Sequence, residues 1–178
     1  MRLFVAICLP PEAKAALDRG IQALKQQGSG SFTSSDNMHL TLAFIGETTR
    51  WREAVRAIQA VQAPGFPLTI QSSGQFGGQL IWAGAGLTKE LAFLQKQVTK
   101  CLELAGFALE KKTFKPHLTL CRRFQPSGEW DKSALNAALG STTFPVNQIF
   151  LMRSDRVNGK LTYTPVAKQI LTQQTKED

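Results

Sequence analysis

The chain switches between two hydrophobic periods, and the switches come in the same order twice. Leu3, Phe4, Val5, Ala6, Ile7 and Leu9 make 2–9 almost continuously apolar, which predicts a strand buried on both faces. At Pro11 the period becomes helical: Ala13, Leu17, Ile21 and Leu24 share one stripe of a helix over 11–27. Gly28-Ser29-Gly30-Ser31 reads as a loop. A strand then runs from His39 to Gly46-Glu47. A helix over 50–62 turns Trp51, Val55 and Ile58 inward until Pro64-Gly65 stops it. Strands at 66–73 and 79–85, joined by a turn at Gly77-Gly78, close the first half.

The second half repeats the order. Thr88 is placed to cap a helix running to Ala105, with Leu91, Leu94, Val98, Cys101 and Leu102 on its apolar side and Gly106 just past its end. A short strand near 107–110 precedes the strand that begins at His117. A helix within 128–140 carries Trp130, Leu135 and Leu139, and strands follow at 146–153 and 161–171. Asn158-Gly159 suits the positive φ angles of a tight hairpin turn. The polar tail at 173–178 is expected to fray. The expected architecture is α+β, one bilobal domain over 1–178 with halves of about 1–86 and 87–178. Its two pseudo-symmetric lobes would each be a mainly antiparallel sheet with helices on the outer face, and a cleft would lie between them.

Composition narrows the class. With 43% hydrophobic and 19% charged residues the chain reads as an ordinary globular protein rather than a disordered one. Its apolar stretches fall far short of the roughly 20 residues of a membrane span. The opening run superficially resembles a secretion signal, but it meets Pro10-Pro11 and a helix without a small-residue cleavage site, so a first core strand is expected. Three cysteines, Cys8, Cys101 and Cys121, lack metal-type spacing and fit a reducing cytoplasm; Cys8 and Cys101 fall within apolar patterns and are expected in the core. The net charge is +8. Lys111, Lys112, Lys115, Arg122 and Arg123 form a run without an acid among them, which suits a phosphate-bearing ligand.

That basic run surrounds one of only two histidines, and both head the same tetrapeptide: His39-Leu40-Thr41-Leu42 and His117-Leu118-Thr119-Leu120. They lie 78 positions apart (117 − 39). Chance would supply one such tetrapeptide after a given histidine about once in a thousand, so two are a signal. Strand alternation puts each histidine and its threonine on one face, with the leucines anchoring the other. Imidazole can give or take a proton near neutrality. Two imidazoles and two hydroxyls facing one phosphate would supply a general base, a general acid on the opposite side of phosphorus, and donors to the remaining oxygens. Two histidines fall short of a catalytic zinc set, with Asp36 and Glu47 the nearby acids of the first half. No nucleophile elbow of the Gly-x-Ser-x-Gly kind occurs, and Gly84-Ala85-Gly86 lacks the context of a dinucleotide fingerprint.

These His-x-Thr-x motifs, with Ala43-Phe44-Ile45-Gly46-Glu47 after the first and Cys121-Arg122 after the second, resemble the two-histidine (2H) phosphoesterase superfamily. Within it the chain is most similar to bacterial RNA 2',3'-cyclic phosphodiesterases, also called 2'-5' RNA ligases. Weaker matches, in the right order, are the opening 2–7, Leu80-Ile81-Trp82, Ser154 and Leu161-Thr162-Tyr163-Thr164-Pro165. The resemblance implies a cytoplasmic, monomeric hydrolase that opens a 2',3'-cyclic phosphate end of RNA to a 2'-phosphomonoester without metal or other cofactor. By the same resemblance His39 is the proton donor, His117 the proton acceptor, Thr41 and Thr119 bind phosphate, and Phe44 and Arg122 bind the nucleotide. Strict alternation conflicts with the last pair: it points Phe44 and Arg122 away from the histidine face and favours Arg123. Two other readings stay open. One is ligation of the cyclic phosphate to a 5'-hydroxyl, the same chemistry with a different nucleophile. The other is a non-catalytic module that binds RNA ends.

Overall fold

A computed structural model describes residues 1–173. The expected fraying tail therefore lies, apart from Gln173, outside the described residues. The elements are β1 (Arg2–Cys8), α1 (Pro11–Lys25), β2 (Gly28–Phe32), β3 (His39–Glu47), α2 (Trp51–Gln59), β4 (Phe66–Phe76), β5 (Leu80–Ala85), α3 (Lys89–Leu104), β6 (His117–Pro126), α4 (Lys132–Leu139), β7 (Thr142–Val146), β8 (Gln148–Val157) and β9 (Lys160–Ile170). They form two antiparallel sheets, ordered β3-β1-β8-β9 and β2-β6-β5-β4-β7. Helices α2 and α3 pack on the first sheet and α1 and α4 on the second. This is the two-lobed α+β fold expected from the periodicity. None of the described helices is long and apolar enough to cross a membrane.

The spacing between the histidines recurs in the elements around them. A displacement of 78 positions brings β1 onto β5, α1 onto α3 and β3 onto β6. The lobes, however, are not the two halves of the chain. Strand β8 from the second half pairs with β1, and β4 from the first half pairs with β5 and β7, so each sheet draws on both halves. The helices cross over as well: α1 leaves the first sheet to pack on the second, and α3 does the reverse. One continuous core results, from Leu3 and Leu40 through Leu91 to Leu118 and Phe144.

Local predictions of secondary structure fail at four places, each for a physical reason. Residues 28–31 are strand β2 rather than a loop, because Gly28 and Gly30 let this edge lie directly against β6. A Cβ on Gly30 would fall 2.5 Å from Cys121 Sγ. The strand expected near 107–110 is absent. Phe107 is apolar because it closes the end of α3: its N–H donates to the Leu102 carbonyl while the Gly106 N–H donates to that of Glu103, with Gly106 at φ +84°. Strand β7 went unseen because Pro145 weakens its pattern, yet proline is tolerated on a sheet edge. Trp130 lies outside α4, whose N-cap is Asp131, accepting from the Ser133 and Ala134 N–H groups. Of the cysteines, only Cys121 is buried; Cys8 ends β1 exposed, and Cys101 is half-exposed.

Gly30→Ala is expected to lower stability by about 1–3 kcal/mol, the usual range for overpacking, since the new methyl meets a buried sulfur and the Arg122 carbonyl. Urea unfolding followed by circular dichroism measures it.

Candidate active site

The two histidine strands run side by side across the boundary between the sheets. Strand β3 is the edge of its sheet and β6 lies next to the edge of the other. Leu40 and Leu118 sink into the core, leaving His39, Thr41, His117 and Thr119 half-buried on the opposite face. A bulge then interrupts each strand at the same point. Opposite β1 the pairing jumps from Thr41 to Ala43, and opposite β5 from Thr119 to Cys121, so Leu42 and Leu120 are extra residues. An extra residue inverts the alternation beyond it. Leu42 and Ala43 are both buried, as are Leu120 and Cys121, and the next residues, Phe44 and Arg122, return to the histidine side. The conflict between resemblance and alternation disappears. Arg123, which strict alternation favoured, turns away with φ +54° and donates to Ser31 Oγ on β2.

Both imidazoles are held the same way. His39 Nδ1 lies 2.7 Å from the Asn37 carbonyl oxygen, and His117 Nδ1 lies 2.7 Å from that of Lys115. A ring nitrogen facing a carbonyl carries the proton, so Nδ1–H donates in both and Nε2 is left for chemistry. The two Nε2 atoms differ. That of His39 is 3.0 Å from Thr41 Oγ1, whereas that of His117 has no hydrogen-bond partner among the described residues.

Aromatic rings fix the imidazoles from the side. His39 stands edge-on to Tyr163 with centroids 5.0 Å apart, and Phe4 lies 4.9 Å away. His117 stands edge-on to Phe76 at 5.0 Å, and Phe76 in turn contacts Trp82. Sequence reasoning gave these rings no part in the site: Phe4 reads as a residue of the buried first strand, Trp82 and Tyr163 only as weaker matches, and Phe76 carries no signal. The repeat held one usable signal, since Phe4 and Trp82 occupy equivalent places on β1 and β5. The Phe44 ring is 48% exposed, with the Arg2 guanidinium 5.0 Å from its centre. Ser154 sits between Arg2 and Tyr163 in strand register, on the rim of the same lobe.

Burial depresses the His39 pKa below its ordinary value of 6.5, and the positive charges of Arg122 and His117 push the same way; the hydrogen bond to Asn37 opposes them. Arg122 and both histidines therefore share one electrostatic environment. Burial raises Tyr163, with Arg122 and Arg2 acting against it. A cavity of about 860 Å³ opens from this point, with Thr41, Phe44, Phe76 and His117 in its wall. Among the described residues no group of three or more His, Cys, Asp or Glu is placed to hold a metal ion.

A family profile described as the 2'-5' RNA ligase superfamily matches residues 10–158. The chain belongs to the 2'-5' RNA ligase superfamily. The superfamily member of Escherichia coli strain K12 called RNA 2',3'-cyclic phosphodiesterase is 29% identical over 180 residues, 97% of each chain. A protein of the same name from Geobacillus stearothermophilus is 32% identical over 164 residues, 85% of this chain but 52% of that one, so the chain spans about half of that relative. The crystal structure of E. coli LigT complexed with 3'-AMP superposes with a TM-score of 0.79 at 27% identity, covering 97% of this chain and 98% of LigT.

The His39 environment makes a testable statement. Arg122→Gln is expected to raise the His39 pKa toward 6.5, as read from its ring resonances in an NMR titration; a downward move would contradict the assigned cause. The unfolded chain binds a proton at the ordinary pKa and the folded one only below it. Stability should therefore fall as pH drops through 6.5 toward the lowered value, and this component should vanish in His39→Gln.

Proposed function

We propose that this protein hydrolyses the 2',3'-cyclic phosphate end of RNA to a 2'-phosphomonoester, using one imidazole as base and the other as acid. The observation that carries the reading is the matched pair of Nδ1–carbonyl bonds, which leaves two Nε2 atoms for the cleft. Water attacks phosphorus while His117 Nε2, without a hydrogen-bond partner among the described residues, takes its proton. The P–O3' bond breaks on the far side, and protonated His39 delivers the Nε2 proton to O3', leaving a 3'-hydroxyl and a 2'-phosphate. Each such proton transfer contributes about 10²- to 10⁴-fold. His39 is held toward its neutral form in the free protein, and the phosphate anion entering the cleft favours the charged imidazolium that an acid must be.

The Thr41 and Thr119 hydroxyls donate to the non-bridging oxygens, and the Arg122 charge offsets the negative charge that gathers there. Phe44 offers an exposed ring for the terminal base, which at a single-stranded end is already unstacked. No step calls on a metal. Both histidines come from one chain, so a single copy holds the complete cleft and acts as a monomer. Three cysteines, unpaired among the described residues, suit a reducing compartment such as the cytoplasm.

An oligonucleotide ending in a 2',3'-cyclic phosphate tests the reading. Alanine at His39 or His117 should each cost at least about 10²-fold in kcat with the fold unchanged by circular dichroism, and EDTA should have no effect. Turnover that survives in both variants removes the mechanism, and inhibition by chelator demands a metal. Adding a 5'-hydroxyl strand separates ligation from hydrolysis by product. Salt-sensitive RNA binding without turnover leaves only an end-binding module.

A further inference from the structure

Resting on the cyclic-phosphate reading, we infer that the groove leading away from the histidines between α3 and the 109–115 loop is a rail for the RNA strand that precedes the reacting end. The protein would accordingly prefer an oligonucleotide to a cyclic mononucleotide. The groove is continuous with the place proposed for the terminal nucleoside, since Thr41, Phe44 and His117 form its inner end. It then follows α3 from Gln95 to Glu103, about 12 Å at 1.5 Å per residue. A stacked strand rises roughly 3.4 Å per nucleotide, so this length accommodates two or three nucleotides beyond the terminal one.

The charge along the groove fits a phosphodiester chain. Lys96 and Lys100, one helical turn apart, line the α3 wall, and Lys111, Lys112 and Lys115 line the loop wall. The acids among the lining residues are Glu103 and Glu110, and Glu110 is paired with Lys112 at 2.6 Å. Among the described residues Lys96, Lys100, Lys111 and Lys115 form no ion pair. Ammonium groups on both walls, without an ion-pair partner among the described residues, can follow phosphates spaced along a strand. At the inner end Phe76, with Lys115 Nζ 6.0 Å from its centre, and Phe44 supply ring faces for bases. The α3 wall is rigid where it meets the histidine strand, because Gln95 Nε2 bonds Thr99 Oγ1 and reaches the carbonyl of Leu42 at the bulge.

The test compares 2',3'-cyclic AMP with oligoadenylates of two, four and six nucleotides ending in the same cyclic phosphate, on wild-type protein and on the charge-reversed variant Lys96→Glu/Lys100→Glu/Lys111→Glu. For wild-type protein kcat/KM should rise with length, and the ratio of hexamer to mononucleotide kcat/KM should drop at least tenfold in the variant. The salt dependence of log KM for the hexamer should flatten by about 0.7 for each phosphate that the variant no longer neutralises. Anisotropy with a labelled hexamer carrying a terminal 2'-phosphate reads the rail without turnover. Lysine-dependent binding there, with no hydrolysis of any substrate, keeps the rail and removes the catalytic reading. Kinetics indifferent to length in wild-type protein overturn the rail. So does an equal loss on mononucleotide and hexamer, a loss confined to ligation with a 5'-hydroxyl strand, or displacement of the labelled RNA by polyglutamate at equal charge concentration.

Discussion

The extra residue just past the threonine of each histidine strand is the constraint on which the site depends. A regular strand of the sequence His-x-Thr-x would present two side chains to the cleft and send the next outward-facing position out of phase with Phe44 and Arg122. Bulges at Leu42 and Leu120 place two consecutive residues in the core and return the following one to the cleft. Each strand thereby offers an imidazole, a hydroxyl and a third group on one surface, while its leucines remain buried. The two third groups differ, an exposed ring in one lobe and a cation in the other. That difference turns a nearly symmetric cleft into a directional one.

The cleft also depends on exchange between the repeats. Each repeat provides a strand–helix–strand unit ending in its histidine strand, β1-α1-β3 and β5-α3-β6, but the strand behind β1, β8, follows the second unit in the chain, and the strand behind β5, β4, precedes it. The helices cross over in the same sense. Neither half can bury its apolar surface without the other, so the relative placement of the histidines is tied to the main core rather than to a flexible joint. Short carbonyl bonds at both Nδ1 atoms and edge-on aromatic neighbours then fix the rings themselves.

The surroundings of His39 restrain its charge. His39 lies deeper, between Phe4 and Tyr163, and its charged form is disfavoured first by burial and then by Arg122 and His117. Positive charge concentrated around the cleft is costly to an imidazolium until an anion enters. On the proposed reading, the same charge that helps depress His39 in the free protein attracts the anion that reverses the effect.

The sequence by itself determined most of the element types, the repeat and the paired histidines. Hydrophobic period reports which side of a local element is buried, and a doubled His-Leu-Thr-Leu is too specific to arise by accident. It was silent or misleading wherever a residue answered to a distant partner. Gly28 and Gly30 looked like loop residues until β6 lay against them, and Phe107 looked like a strand residue until α3 was seen to close on it. Cys8 looked buried because its neighbours are. Phe44 and Arg122 could be placed on the histidine side only by resemblance, because a bulge is a property of two paired strands and leaves no period in either one. Which strands back which histidine, and that the lobes interleave the halves, were likewise decided by tertiary structure. Pairing between segments far apart in the chain is selected by the packing of the whole core, a quantity that no local pattern contains.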